Sequence, residues 1–375
     1  MKFVVSSSEL LSHLSAISKV INSKNAMPIL DNFLFHLEGT ELTITASDLE
    51  TTLVTSLQLD NVSGSGVIAI PAKLINDMLR EFPEQPLTFV IDMERFAIEL
   101  FSENGKFNIV GKDGEEYPQL PVISSDAQRQ LVAPDILLNG ITRTIFATAD
   151  DELRPVMNGI FVELGEAGLT FVASDAHKLI RYKRGDVQVE QTASFILPKK
   201  PANLLKGLLP KETADVEMSF DSKNAIFKLS KYTLVCRLLE GKYPAYNSVI
   251  PKVNPNIVLV DRQAMFSTIK RISVFSSESL GLVKLSLENN QMVVSAQDVD
   301  YSRSAVERIA CQYEGMDMEI GFKSTFLLEI LSNIESNDVR VELSDSARAG
   351  LFLPAEKRHD EEDILMLLMP MMIGL

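Results

Sequence analysis

Apolar residues recur every three or four positions at Leu10, Leu14, Ile17 and Ile21, and again at Met265, Ile269, Ile272 and Phe275. That period puts each set on one face of a helix. Elsewhere the alternation is strict, as in Leu42-Thr43-Ile44-Thr45-Ala46, with turns such as Glu103-Asn104-Gly105 between runs. Such segments read as half-buried strands. Helices and strands do not alternate regularly, so the expected class is α+β with antiparallel sheets rather than a parallel α/β fold.

The pattern repeats. LTITASDLETTL (42–53) returns as LTFVASDAHKLIRY (169–182) and, more weakly, as MVVSAQDVDYSRS (292–304), with Asp48, Asp175 and Asp298 spaced 127 and 123 residues apart. VIAIPAKLINDMLREFPE (67–84) returns at 194–212 and 319–336, each a short strand running into an amphipathic helix. A third set begins at Ser8, Pro134 and Arg262, and FNIVGKDGEEYPQLP (107–121) is echoed by LVCRLLEGKYPAYNSVIP (234–251). Several sets in one order and one spacing mean a triplicated unit. Each unit carries two helices, and the expected domains are 1–125, 126–253 and 254–375. The Met-rich end, ILMLLMPMMIGL (364–375), falls where the first two units place their last strands, so it should be a sheet strand.

Composition permits real cores, with 46% hydrophobic residues in 375, and the two cysteines, Cys236 and Cys311, form no C-x-x-C. That usage fits a reducing cytoplasm. The apolar start is too short for a signal peptide and the apolar end is about half a membrane span. Net charge is −15, but it is segregated: the six helical segments hold 13 Lys or Arg against 5 Asp or Glu, leaving −23 on the remainder. Amphipathic helices often carry lysine on solvated faces. Here the basic positions recur between units, Lys73 with Lys200 and Lys199 with Lys323, as a surface for phosphate contact without base reading requires.

An enzyme finds little support. There is no P-loop, and Gly64-Ser65-Gly66 precedes a strand. The four histidines lack metal-ligand spacing, and acidic runs such as Asp360-Glu361-Glu362-Asp363 read as solvated loops. Ser267-Thr268-Ile269-Lys270 matches S-x-x-K, but the accompanying S-D-N and K-T-G are missing. No metal, cofactor or catalytic residue is expected. His177 is singular because the sister units carry Glu50 and Asp300 in its place. It reads either as a local strand residue or as a site unique to one unit.

The three repeats, the initial MKF, A-M-P-I-L at 26–30, S-D-A-H-K-L at 174–179, K-Y-P-A-Y at 242–246 and L-M-P-M near the end together resemble the β subunit of bacterial DNA polymerase III, the sliding clamp family. The resemblance spans the whole chain. It implies a head-to-tail homodimeric ring of six domains around double-stranded DNA, non-catalytic, tethering polymerase through short peptides. Implied partners are the DNA polymerase III α subunit, the clamp loader, and other replication and repair proteins, with no membrane role. The helix count supplies Lys73, Arg80, Arg143, Lys199, Lys200, Lys206, Lys270, Arg271 and Lys323 as phosphate candidates; Lys24 also matches a position known in the family. The resemblance implies a junction containing Phe107, Val274 and Phe275. It also implies a peptide groove walled by Met157, Ser174, Ala176, His177, Lys178, Leu179, Pro244, Ser248 and Val249, with Ala347, Ala349, Leu367, Leu368, Met369, Pro370, Met371 and Met372. Many members have Gly-His-Arg-Leu where this chain has Ala176-His177-Lys178-Leu179, and often arginine at Ser248 or Met372. The groove should therefore be more apolar here. Ile373-Gly374-Leu375 extend beyond the point where relatives often stop.

Overall fold

The computed structural model describes residues 1–121, 123–124, 126–189 and 191–373. The expected first boundary, residue 125, and the final Gly374 and Leu375 lie outside the described residues. Among the described residues there are six α-helices: α1 Ser7–Ile17, α2 Ala72–Arg80, α3 Pro134–Thr144, α4 Lys199–Leu208, α5 Arg262–Ile272 and α6 Ser324–Asn333. The periodic faces hold where the helices are regular. Leu10, Leu14, Ile17, Met265, Ile269 and Ile272 are all buried. Ile21 and Phe275 leave those faces because the chain tightens into 3-10 turns at Ser18–Val20 and Ser273–Phe275. Side-chain caps start two of the helices: Ser6 accepts from the Glu9 N–H and Asp261 from the Ala264 N–H.

The chain forms two compact units, one of Met1–Leu138 with Lys200–Leu238, the other of Asn139–Lys199 and from Leu239 onward. Three repeats make two units because sheet hydrogen bonds run across repeat boundaries. In the first unit, a nine-stranded sheet passes from Lys112–Asp113 through Thr51–Gln58 to Tyr232–Arg237 and ends at Gln128–Val132. The seam between repeats is the antiparallel pairing of Thr51–Gln58 with Tyr232–Arg237, which sets Leu53 opposite Leu234. A second nine-stranded sheet, in the other unit, has its seam between Lys178–Arg184 and Glu362–Leu368, with Ile180 opposite Met366. Of the Met-rich end only Ile364–Leu368 lie in that strand, as their pattern implies; Met369, Met371 and Met372 come after it, with one isolated bridge from Met371 to Gly321.

Two smaller sheets complete the units. The first unit has five strands ending at Lys106–Val110, and the second has four ending at Arg303–Ala310. Among the described residues every strand pair in these two sheets is antiparallel. Apolar residues alternate into the cores, so Val283, Leu285 and Leu287 are buried on one face of the four-stranded sheet.

Candidate functional site

The turn between Ser174 and Lys178 is built by its own polar side chains. The Asp175 carboxylate accepts the N–H groups of His177 (2.9 Å) and Lys178 (2.8 Å), and the Ser174 hydroxyl donates to the Lys178 carbonyl at 2.8 Å. Burial opposes ionisation of Asp175, yet the hydrogen bonds from the Lys178 side chain, the Lys178 N–H and the His177 N–H outweigh it and hold the carboxyl below its ordinary range. Ala176 sits at φ +74°, as Leu49 does at φ +80° in the equivalent turn of repeat 1. The left-handed backbone therefore belongs to the turn itself, and a Cβ there is strained.

This turn presents His177. Its ring stacks on Phe326 of α6 at 5.6 Å, and its carbonyl accepts the Met369 N–H at 2.8 Å. Lys178 turns away from solvent and binds Asp175 (2.8 Å) and Glu329 (3.0 Å), with its ammonium 4.4 Å from the Phe326 ring centre. Phe326 was not legible as a site residue, since its helical spacing marks only an amphipathic face.

Next to the turn, Leu179 faces Leu367 across the seam. Both are buried in a cluster with Val172, Ile196, Ala349, Leu351, Leu365, Tyr243 and Tyr246. The segment after residue 239 covers this face: Tyr243 stacks on Phe161 at 4.8 Å and the Tyr246 hydroxyl donates to Glu163 at 2.7 Å. Leu179, Leu367, Ala349, Met157 and Ser174 are buried. Ala176, His177, Pro244, Ser248, Val249, Ala347, Met369 and Met372 are exposed, with Pro370 and Met371 half-buried. Leu368 departs from the expected wall: strand alternation turns it into the core that also holds Phe322 and Phe352. Lys178 departs likewise, being buried against acids rather than lining a surface.

The cationic candidates divide sharply. Lys24, Lys73, Lys206 and Lys270 are exposed and make no ion pair among the described residues. Arg80 is exposed beside Asp77. Arg143 is a correction: it is 4% exposed, donates to the Asn333 carbonyl at 3.2 Å and pairs with Glu335, so no phosphate can reach it. Lys199 binds Asp150 and the Ala149 carbonyl. Lys200 is tied to Asp48, Asn22 and the Val20 carbonyl, closing the end of the first seam. Arg271 is engaged by Glu307 and Thr268. Lys323 is not the equivalent of Lys199 as expected: it ends its strand as Pro198 does, while Lys199 opens a helix as Ser324 does. It stands over Phe326 at 4.9 Å, which groups it with the His177 turn.

Of the expected junction residues, Phe107 lies on the outer strand of the five-stranded sheet at 37% exposure. Val274 and Phe275 follow α5 at 72% and 40%. Sequence reasoning missed Val306, 66% exposed on the outer strand of the four-stranded sheet; a lone alternating valine carries no signal that its sheet ends there.

Among the described residues, no group of three or more His, Cys, Asp or Glu could hold a metal ion, and no helix is long and apolar enough to cross a membrane. The chemistry on offer is a buried apolar cluster at the second seam, exposed methionines after its last strand, outer strand edges and exposed lysines.

Comparison with known proteins gives one answer along the chain. Residues 1–121, 131–245 and 247–372 match the N-terminal, central and C-terminal domain models of the DNA polymerase III beta subunit. The beta sliding clamp of Synechococcus elongatus is 30% identical over 364 residues, covering 94% of this chain and 96% of the relative. That of Pseudomonas aeruginosa is 27% identical over 373 residues, covering 99% and 100%. The crystal structure of the DNA polymerase III subunit beta from Pseudomonas aeruginosa superposes with a TM-score of 0.93 at 26% identity, with both chains fully covered.

Proposed function

Because the chain belongs to the DNA polymerase III beta subunit family, the beta sliding clamps, we propose that two copies close head to tail into a six-domain ring around duplex DNA. The family is a non-catalytic processivity factor, and this chain is a clamp of that kind. Its place is the cytoplasm, with the replication machinery. The proposed repeats are 1–125, 126–253 and 254–375.

The observation that carries the ring is an incomplete construction. Each formed seam joins two half-sheets into nine strands, while the remaining half-sheets have five and four. Joining the five of one copy to the four of another makes a third sheet of the same size. The contact is heterologous, and closure of two such contacts consumes every open seam edge.

The formed seams also supply a register. Leu53 pairs with Ala46, Ile180 with Ala173 and Ala305 with Ala296, which makes Ala305 the counterpart of Leu53 and Ile180. Leu234 pairs with Phe227, Met366 with Phe352 and Phe107 with Leu100, which makes Phe107 the counterpart of Leu234 and Met366. Phe107 of one copy then faces Ala305 of the other, large against small, and Asn108 faces Ser304. Val274 and Phe275 fit the same reading, since their counterparts after α3, Phe146 and Ala147, pack into a core.

Exposed lysines, chiefly Lys24, Lys73, Lys206 and Lys270, hold DNA by phosphate contacts that read no sequence, so the ring slides. The apolar floor and methionine rim receive peptides from the DNA polymerase III α subunit, the clamp loader and other replication and repair proteins. Tethering keeps the polymerase's local concentration high.

A paired-cysteine experiment tests the register. Cys236 and Cys311 are buried and do not interfere. The variant carrying Asn108→Cys and Ser304→Cys should oxidise to a covalent dimer, because directly opposed strand positions approach disulfide distance. Either substitution alone should not. A dimer that forms without this cross-link would reject the register, and a monomer at micromolar concentration would reject the ring.

A further inference from the structure

At three equivalent places the chain leaves the last strand of a repeat and crosses to the same neighbour. In repeat 1, Lys112 pairs with Ala69. In repeat 2, the Leu239 N–H donates to the Ile196 carbonyl at 3.1 Å. In repeat 3, the Met371 N–H donates to the Gly321 carbonyl at 2.8 Å, in an antiparallel bridge. Ala69, Ile196 and Gly321 occupy one position of the repeated strand-to-helix motif.

Near each crossing a glycine stands where a Cβ would crowd its neighbours, though in a different place each time. A Cβ on Gly111 would lie 2.8 Å from the Ala69 carbonyl oxygen. One on Gly159 would lie 2.6 Å from the Leu197 carbonyl oxygen and 2.9 Å from the Leu239 side chain. One on Gly321 would lie 3.0 Å from the Met371 carbonyl oxygen, 3.2 Å from Ile373 and 2.7 Å from Leu282. At Gly111 and Gly321 the crowding is with main chain across the crossing, whereas at Gly159 the crossing contributes only the flexible end of Leu239.

Among the described residues two main-chain bonds fix the third crossing, Met369 to His177 and Met371 to Gly321, and Pro370 between them has no N–H to offer. Met369 and Met372, 42% and 95% exposed, stand on this segment.

We propose that Gly321 is a positioning residue for partner binding: its missing side chain lets the tail close onto the strand and holds the methionine rim in one place. Adaptable methionine side chains then stand on a fixed backbone, so a partner does not have to order the tail as it binds. The proposal rests on the reading of this surface as the peptide groove.

The test compares the full-length protein with Gly321→Ala and Gly321→Val, following amide exchange at Met371, melting temperature and affinity for the DNA polymerase III α subunit. Exchange at Met371 should quicken in both variants, and α-subunit affinity should fall about threefold for alanine and about tenfold for valine, with dimerisation unchanged. Faster exchange with unchanged affinity would overturn the proposal, as would protection of Met371 that survives the substitutions. If valine prevents folding through Leu282, the alanine variant decides alone by the same two readouts. Val249→Asp separates the underlying reading: unchanged α-subunit affinity there would reject the groove itself, whatever the Gly321 variants do.

Discussion

At Leu53 with Leu234, and again at Ile180 with Met366, two repeats are stitched by backbone pairing with large apolar residues face to face. At Arg303–Ala310 and Lys106–Val110 the same construction stops halfway, leaving Val306 and Phe107 exposed on outer strands. The formed seams lie within the folded chain and cannot part without unfolding. In the proposed ring the unfinished edges meet between copies, with Ala305 opposite Phe107. A ring made of such parts has two kinds of joint, and only the second can open without unfolding the protein.

Breaking a formed seam should cost most. Ile180→Ala removes a fully buried side chain and should destabilise the unit by about 3 kcal/mol, read by chemical denaturation, while dimer affinity per folded chain stays constant. Phe107→Asp places a carboxylate at the proposed joint and should weaken dimerisation at least about hundredfold by sedimentation, with little change in melting of the monomer. The contrast between these two variants would vanish if both joints were alike.

Charge reversal on the helices should act on neither joint. Lys206→Glu should weaken initial binding to nicked DNA about fivefold at low salt and reduce the salt dependence by roughly one to two phosphate contacts. Unchanged binding would remove Lys206 from the DNA face.

The two formed seams also differ in acid. His13 is buried against Thr55 at the first, facing Lys231 and Tyr232, with Glu9 on its own helix. Burial, then the charge of Lys231, lowers its pKa below 6.5. The unfolded chain thus binds this proton more readily. The His13 contribution to stability is full above about pH 6.5 and is lost as the pH falls through the lower folded value. Melting of the first unit should decline below pH 6.5, and His13→Gln should flatten that decline. The smallest effect concerns the His177 turn: Ala176→Gly relieves a left-handed backbone and should raise stability by about 0.5–1 kcal/mol.

Much of this organisation was legible in the chain. The repeats and the period of each helix marked six helices, and position within the repeat marked a strand from Ile364, which the structure forms over Glu362–Leu368. Local pattern could not say which strand meets which, because alternation reports a buried face and not its partner. So the nine-stranded sheets, and the two units they create, emerged only from the structure. The same limit explains Arg143, whose charge marked a surface residue until Glu335 and the Asn333 carbonyl enclosed it. It also explains Phe326 beside His177, two residues about 150 positions apart.

The central claim is that this protein holds DNA by topology. The most direct test loads it with a clamp loader onto nicked circular DNA, raises the salt, isolates the complex and linearises half. A closed ring stays on the circles and runs off the linear molecules. Equal loss from both, after verified loading, would mean that the exposed lysines alone hold the DNA and that the unfinished sheets do not close around it.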